Sequence, residues 1–226
     1  KDKRIKYVFR KENGHISEAS NSALELATGD FVALLDHDDF LWPNALFDVV
    51  STIQKYPKSE FLYSDEDKLA TNGTTHEDPF FKPDWSPDYL RSLNYITHFA
   101  VLRKSLIDKI GGFRVGYEGA QDWDLFLRAT REIEKTGNVG SKIIHIANVL
   151  YSWRKSPSST ASGRSWVKSY AYKNQKKVLE DDLLARGLSG EVLATGMTGI
   201  WRVKCDVTDK PLISIVIPTK EKYSFI

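Results

Sequence analysis

An apolar run that ends in three closely spaced carboxylates constrains this chain more than any other feature. Residues 31–35 are five consecutive apolar residues, typical of a buried strand in a parallel sheet. Asp36, Asp38 and Asp39 follow directly, where open α/β sheets bind their ligands. Clustered carboxylates repel one another, and a divalent cation such as Mg2+ or Mn2+ relieves that repulsion. The segment therefore predicts either a metal-assisted site or an acidic turn that caps a helix beginning near Pro43.

The rest of the chain alternates between strand and helix patterns, which is typical of an α/β domain with a parallel sheet. We predict strands at 5–9, 31–35, 61–63, 99–102, 143–146, 149–153 and 211–219. We predict helices at 16–27, 43–55, 105–110, 122–136 and 164–186, and a small hairpin from 192–194 and 200–203. Residues 70–87 are polar and interrupted by proline, which predicts a long loop.

Composition narrows the class of protein. A chain of 226 residues that is 41% hydrophobic can bury one substantial core and a small appendage. Its net charge of +2 gives no indication of nucleic-acid binding. No apolar run approaches the ~20 residues that a bilayer requires. The single Cys205 excludes an internal disulfide and a metal site built on thiolates, and it fits a reducing compartment.

Short motifs occur in a characteristic order over most of the chain. They are residues 12–17, 19–21, 31–39, 62–67, 81–87, 94–98, 111–113, 118–125 and 150–154, with Arg128. In this order and spacing the chain resembles glycosyltransferase family 2, the inverting GT-A enzymes that build bacterial surface polysaccharides. It is most similar to the O-antigen and capsule subgroup, in which two such domains often occur in tandem. The resemblance implies a GT-A fold with a mixed, mostly parallel sheet flanked by helices.

The resemblance also implies a domain organisation. Residues 1–190 correspond to the C-terminal portion of a GT-A domain, 191–210 to a hairpin and linker, and 211–226 to the first strand of a second, truncated domain. The first domain would then lack its N-terminal strands and the acidic turn that grips the nucleotide base, so we expect the fragment alone to be inactive. We expect residues 213–217 to take the place of the missing strand, beside residues 31–35. If the strand came from a neighbouring chain, the result would be a strand-swapped dimer. Alternatively, upstream residues complete the domain and the tail is a linker.

The activity implied is a metal-dependent, inverting glycosyltransferase of the hexosyltransferase type. It would move a sugar from a nucleotide-diphosphate sugar to a growing surface polysaccharide. The acceptor would be a glycan or a lipid-linked glycan. The implied cofactor is Mn2+ or Mg2+, with Asp38 as direct ligand and Asp36 also at the metal, nearer the ribose. Asp36, Arg154 and Gly112 are expected at the donor and its diphosphate. Many relatives carry a histidine where this chain has Ser152, which leaves the strength of metal binding open.

Inversion by direct displacement requires a general base that takes the proton of the acceptor hydroxyl. The resemblance assigns this role to Asp122, at the start of a predicted helix. Asp124 is the rival, and either residue could instead cap the helix. The side chains expected on the acceptor side are Asp65, Glu66, Trp85 and Trp123.

Two other classes of function compete with this activity. A non-catalytic glycan-binding or scaffolding GT-A domain is favoured by Ser152 and by Gln121, which replaces the acidic residue that usually precedes the base. A nucleotidyltransferase would need a phosphate loop rich in Gly, Arg and Lys, which the sequence lacks. For a bacterial polysaccharide enzyme we expect a cytoplasmic location, peripheral association with the inner face of the cytoplasmic membrane, and no nucleic-acid partner.

Overall fold

A computed structural model describes residues 2–155, 169–218 and 220. The helices are α1 (His15–Leu26), α2 (Ala45–Lys55), α3 (Pro87–Ser92), α4 (Lys104–Lys109), α5 (Gln121–Glu134) and α6 (Ser169–Ala185), with a 3-10 turn at Val139–Ser141. The strands are β1 (Phe31–Ala33), β2 (Phe40–Leu41), β3 (Phe61–Leu69), β4 (His76–Phe80), β5 (Ala100–Arg103), β6 (Ile143–Arg154), β7 (Gly190–Ala194) and β8 (Trp201–Cys205). Most predicted helices are present with slightly different ends. The predicted helix at 164–186 is seen as α6, and its earlier residues lie outside the described part.

The central sheet is mixed, as predicted, but its strands are mostly antiparallel. Among the described residues the strand order is β1-β5-β3-β6-β2, with β4 also paired to β3. The β3–β6 pair is parallel, whereas β1–β5, β3–β5, β3–β4 and β2–β6 are antiparallel. The expectation of a mostly parallel sheet is therefore wrong. The sheet is mostly antiparallel because β1 and β3 both pair with the oppositely directed β5, and because β4 follows β3 through a short turn.

Strand β3 differs most from its prediction because it continues through the acidic residues instead of ending before them. Nearly the whole strand is buried, including Asp65 and Glu66. Both edges of β3 are occupied, by β6 on one side and by β5 and β4 on the other. The turn that leads into β4 is closed by a hydrogen bond of 2.8 Å from Ala70 N to Thr75 O. The predicted loop at 70–87 thus contains a strand.

Hydrophobic side chains pack on both faces of the sheet. Alternate residues of β3 point to opposite faces, so that Phe61 and Tyr63 join one cluster and Leu62 joins the other. The larger cluster includes α5, in which residues 123–130 are all buried. The smaller cluster includes α2. The predicted hairpin is confirmed as β7–β8, and Trp201 of β8 packs into the larger core.

Two segments with strand-like sequences do not form strands. Residues 5–9 are exposed and unpaired, and residues 211–218 form no strand. Ile213 is 77% exposed and Ile217 is 54% exposed. The prediction that residues 213–217 pair with β1 within the same chain is therefore wrong. β1 itself is short and half-buried, and Leu35 beyond it is 51% exposed. No helix in the described ranges is long and apolar enough to cross a membrane.

Candidate active site

A pocket of about 250 Å³ opens beyond the end of β1, between α1 and the first turn of α5. Its lining combines apolar side chains of α1 and β1 with polar groups from four separate segments. The polar lining residues are Ser20, Asp36, Thr97, His98, Gln121 and Asp122. The fold therefore brings Asp36 and Asp122 to one pocket, although they are far apart in the sequence.

Asp36, Asp39 and His98 form a compact group beside this pocket. Each offers one ligand atom, and these atoms all lie within 4.8 Å of one another. A hydrogen bond of 3.3 Å from Asp39 N to Asp36 O closes a tight turn, which brings Asp39 back beside Asp36. Asp38 lies inside the turn sequence and faces solvent, with its carboxylate 3.8 Å from the exposed His37 ring. The structure thus places Asp39, and not the predicted Asp38, next to Asp36.

The Tyr151 side chain contacts all three members of this group. Its buried hydroxyl donates a hydrogen bond to the Asp39 carboxylate and accepts one of 3.3 Å from Asp36 N. Its ring stacks on the His98 ring with a centroid distance of 4.7 Å. Burial, and then the bond to Asp39, raises the pKa of Tyr151, so that the hydroxyl stays a donor. Burial also raises the pKa of Asp39, although Tyr151 and the Arg154 backbone N–H oppose this effect.

His98 lies between two carboxylates. Its Nδ1 is 3.3 Å from Glu66 Oε2, and its Nε2 is 4.0 Å from Asp36 Oδ2. Burial lowers the pKa of His98, but the contact with the Glu66 carboxylate outweighs it and leaves the pKa raised. The imidazole is therefore held by a charged partner on one side and faces the acidic turn on the other.

Glu66 is part of a buried polar network behind His98. Its Oε2 atom accepts hydrogen bonds from Lys82 Nζ at 3.2 Å, Thr97 Oγ1 at 3.1 Å and His98 N at 3.1 Å. Burial would raise the pKa of Glu66, but the Lys82 charge and the His98 contact lower it to about 2. Burial lowers the pKa of Lys82, and the Glu66 carboxylate opposes this shift. The carboxylate is therefore ionised and points inward.

The two acids at the start of α5 have different surroundings. Asp122 lines the pocket, and its Oδ2 accepts a hydrogen bond of 2.9 Å from Asn94 Nδ2. Asp124 is buried on another face of the helix, where Arg114 Nε at 3.0 Å and Arg128 Nε at 2.8 Å bind its carboxylate. Asp122 can therefore reach a molecule in the pocket, whereas the predicted rival Asp124 is held in an internal ion network.

Of the three residues predicted at the donor diphosphate, Asp36 lines the pocket, whereas Arg154 and Gly112 do not. Arg154 donates from Nε to the Asp38 carbonyl at 2.6 Å, and its backbone N–H binds Asp39 at 2.8 Å. Gly112 has φ +67°, and a Cβ there would lie 2.6 Å from Asn21 Oδ1, so this position requires glycine for a close approach to α1. Ser152 is buried and accepts a hydrogen bond of 3.0 Å from Trp42 Nε1.

The structure buries three of the four side chains that were predicted on the acceptor side. Asp65, Glu66 and Trp123 are buried, so that they cannot touch an acceptor sugar directly. Asp65 binds Lys82 N at 2.8 Å and His145 Nε2 at 2.7 Å, and Trp123 Nε1 donates to the Leu90 carbonyl at 2.7 Å. Trp85 is half-buried against the larger core. Asp65 and Trp123 therefore make internal contacts that support the fold.

Sequence reasoning did not assign roles to His98 or Asn94, and it did not place Asp39 beside Asp36. The signal was present in part, because residues 94–98 form one of the recognisable motifs. A lone histidine is usually structural, and nothing near His98 in the sequence shows that it faces Asp36. The contact arises because β5 pairs with β1 and carries the preceding residues to the end of that strand.

Comparison with known proteins gives a consistent picture. A family model described as "Glycosyl transferase family 2" matches residues 1–111. The chain is 43% identical to an uncharacterized protein, y4gI, of Sinorhizobium fredii, over 97% of this chain and 24% of that protein. It is 36% identical to the O-antigen biosynthesis protein RfbC of Myxococcus xanthus, over 98% of this chain and 17% of that protein. The chain thus spans a quarter or less of the length of these relatives.

Among solved structures, the fold is similar to that of S. aureus TarS 1-349 in complex with UDP-GlcNAc. The TM-score is 0.52 at 19% identity, and the match covers 76% of this chain and 47% of the TarS chain. At this level of identity the likeness concerns the fold alone, and it confirms the expected GT-A architecture.

Proposed function

The chain belongs to glycosyl transferase family 2, and from this premise we propose that the protein transfers a sugar from a nucleotide-diphosphate sugar to a growing surface polysaccharide. The observation that carries the proposal is the convergence of Asp36, His98 and Asp122 on one pocket. Two similarities support it: the Myxococcus relative is named for O-antigen biosynthesis, and TarS was solved with UDP-GlcNAc. The acceptor is then a glycan or a lipid-linked glycan.

The residues present fit a divalent cation of the Mn2+ or Mg2+ type. Asp36 and Asp39 offer carboxylate oxygens and His98 offers an imidazole nitrogen, all within 4.8 Å of one another. Carboxylates suit Mg2+ and Mn2+ well, and the imidazole favours Mn2+ over Mg2+. We therefore assign the cation to Asp36, Asp39 and His98, in place of the pair Asp36 and Asp38. A cation held there supplies stabilisation of the negative charge that develops on the diphosphate leaving group.

Asp122 is the residue we assign as general base. As the acceptor oxygen bonds to the anomeric carbon and the bond to the diphosphate oxygen breaks, the Asp122 carboxylate takes the hydroxyl proton. The Asn94 amide holds one of its oxygens at 2.9 Å, and the other has no hydrogen bond among the described residues. Asn94 is thus a positioning residue for the base.

A transfer assay on the full-length protein tests this proposal. We expect release of nucleoside diphosphate from a UDP-sugar in the presence of acceptor glycan and Mn2+, and loss of turnover with Asp122→Asn while UDP-sugar binding persists. Asp88→Asn is the matched control, because Asp88 is an exposed acid in the first turn of α3. Near-normal turnover of Asp122→Asn would contradict the assignment. Sugar binding by the wild type without any turnover would favour the non-catalytic glycan-binding function.

We also propose the location and domain organisation given by the resemblance. Residues 1–190 form the C-terminal portion of a GT-A domain, 191–210 a hairpin and linker, and 211–226 the first strand of a second domain. The protein is cytoplasmic and associates peripherally with the inner face of the membrane. Limited proteolysis of the full-length protein should cut between Cys205 and Pro211, a stretch that is exposed and outside the strands. Protection of this stretch would argue against a linker.

A further inference from the structure

We propose that Glu66 is a positioning residue for the cation site: its carboxylate lies within ion-pair distance of Nδ1 of His98, so that Nε2 is the nitrogen presented to Asp36. The proposal rests on the ligand set of the proposed function, in which His98 holds the cation together with Asp36 and Asp39. It gives a role to a buried carboxylate that the sequence alone placed on the acceptor side.

The contacts of the Glu66 carboxylate converge on the segment that carries the imidazole. Oε2 lies 3.3 Å from His98 Nδ1, and the opposite ring nitrogen lies 4.0 Å from Asp36 Oδ2. The same oxygen binds the backbone N–H of His98 and the Thr97 hydroxyl, both at 3.1 Å. Glu66 therefore holds both the ring and the backbone of a segment that lines the pocket. Histidines that bind metals commonly donate their second ring N–H to a carboxylate, which fixes the tautomer and the orientation.

One face of the imidazole is also covered, and a second aromatic ring lies nearby. The Tyr151 ring stacks on it at 4.7 Å, and the Trp153 ring lies 5.5 Å away. With one face covered by the Tyr151 ring and Nδ1 next to the Glu66 carboxylate, the edge that carries Nε2 faces the acidic turn. Rotation of the ring by a half-turn would remove the carboxylate contact and place Nδ1 toward Asp36.

Lys82 completes the support for Glu66. Its side chain is fully buried, and Nζ donates to Glu66 Oε2 at 3.2 Å, to the Ile96 carbonyl at 2.8 Å and to the His98 carbonyl. An ammonium group has three donors, and all three are used here. A buried carboxylate without a paired cation is strongly disfavoured, so that Lys82 is what permits Glu66 to be ionised next to His98. The two residues act as one unit.

The tautomer of His98 in the metal-free wild type is the first test, because a merely structural Glu66–Lys82 pair would not fix it. Nitrogen NMR of the imidazole at alkaline pH, where the ring is neutral, should show the proton on Nδ1 and none on Nε2. A proton on Nε2, or an equal mixture of the two tautomers, would overturn the proposal.

Mn2+ binding, measured by calorimetry or electron paramagnetic resonance, is the second test. The double variant Glu66→Leu/Lys82→Met removes both charges at once, so that no uncompensated buried charge remains to unfold the protein. We expect it to bind Mn2+ about 10–100-fold more weakly than the wild type. The control is Glu60→Leu/Lys142→Met, which removes another Glu–Lys pair, in contact at 2.5 Å between the start of β3 and the residue before β6. This control should bind Mn2+ normally.

The outcomes separate this proposal from the proposed function. Equal Mn2+ affinity of the wild type and the Glu66→Leu/Lys82→Met variant would overturn the role of Glu66 and leave the cation site intact. Failure of the wild type to bind Mn2+ would contradict the cation site itself, and the NMR tautomer would still decide whether Glu66 orients His98.

Discussion

At the scale of single residues, one tight turn decides which acids of the 36–39 segment meet. Spacing along an extended strand places Asp36 and Asp38 on the same side and Asp39 on the other. The turn closed by Asp39 N and Asp36 O replaces that geometry, and Tyr151 fixes it through Asp39. The relative positions of Asp36, Asp39 and Tyr151 thus depend on a backbone turn that the residue types alone do not determine.

This geometry predicts that Asp39→Asn weakens Mn2+ binding tenfold or more, which corresponds to at least about 1.4 kcal/mol. The reason is the loss of one anionic ligand atom next to Asp36 and His98. Asp38→Asn is the matched control, because it makes the same chemical change one residue away on an exposed side chain. Calorimetric titration with Mn2+ measures both variants. A larger effect of the Asp38 variant would restore the sequence-based assignment.

The acid stability of the protein should depend on Glu66. Its pKa is lowered to about 2 in the folded state, compared with an ordinary value of 4.5. A lowered carboxylate pKa contributes stability that is fully present above the unfolded pKa and is lost as the pH falls through the folded pKa. The contribution, on the order of 3 kcal/mol, should therefore disappear between about pH 5 and pH 2. Urea unfolding across this range should give a steeper decline for the wild type than for Glu66→Leu/Lys82→Met. Equal slopes would show that Glu66 titrates normally.

At the scale of secondary-structure elements, the periodicity of the sequence predicted the helices well but did not predict how the strands pair. The apolar spacing and end signals located α1, α2 and α5 to within about two residues, because these signals are local. The burial of acids in β3 was not predictable, since Lys82 and His145, which bind them, come from distant segments. Residues 5–9 and 211–218 have strand-like composition but remain unpaired, because a strand requires a partner as well as a pattern.

Two acids on α5, two residues apart, have different roles. Asp122 lines the pocket, whereas Asp124 is bound by internal arginines. We expect Asp124→Asn to lower the free energy of unfolding by about 3–5 kcal/mol, because it leaves Arg128 buried without its carboxylate. Asp122→Asn is the natural comparison and should change stability by less than about 1 kcal/mol, since it removes one part-buried contact with Asn94. Urea unfolding of both variants measures the difference. Comparable losses would mean that Asp122 also belongs to the internal support of the helix.

At the scale of the whole molecule, the sheet assembles the site from segments that are remote in sequence. Asp36 and Asp122 could be predicted, because each occupies a recognisable motif at the end of a strand or the start of a helix. His98 could not, because its place beside Asp36 depends on the antiparallel β1–β5 pair, which the predicted parallel sheet did not include. The donor-side geometry therefore follows from the topology as much as from the motifs.

We expect two copies of this chain to associate through the edge of β1 and residues 213–217. β1 lies at the end of the sheet order, and no described strand pairs with its second edge. Ile213, Ile215 and Ile217 are each more than half exposed, so the described part of the chain contains both a strand edge without a partner strand and an apolar strand-like segment. Such edges tend to pair with other strands, and exchange of residues 213–217 between two chains would give a strand-swapped dimer. We therefore expect light scattering to show a concentration-dependent dimer of this chain.

Ile215→Lys should abolish this dimer, because a lysine in the exchanged strand opposes pairing at an edge. Leu184→Lys is the matched control: it makes a similar change at a side chain that is 80% exposed on α6, and it should leave the dimer intact. Equal loss in both variants would indicate unspecific association of apolar surface. A monomer at every concentration would rule out the exchange and would favour the alternative, in which upstream residues complete the first domain and the tail is a linker.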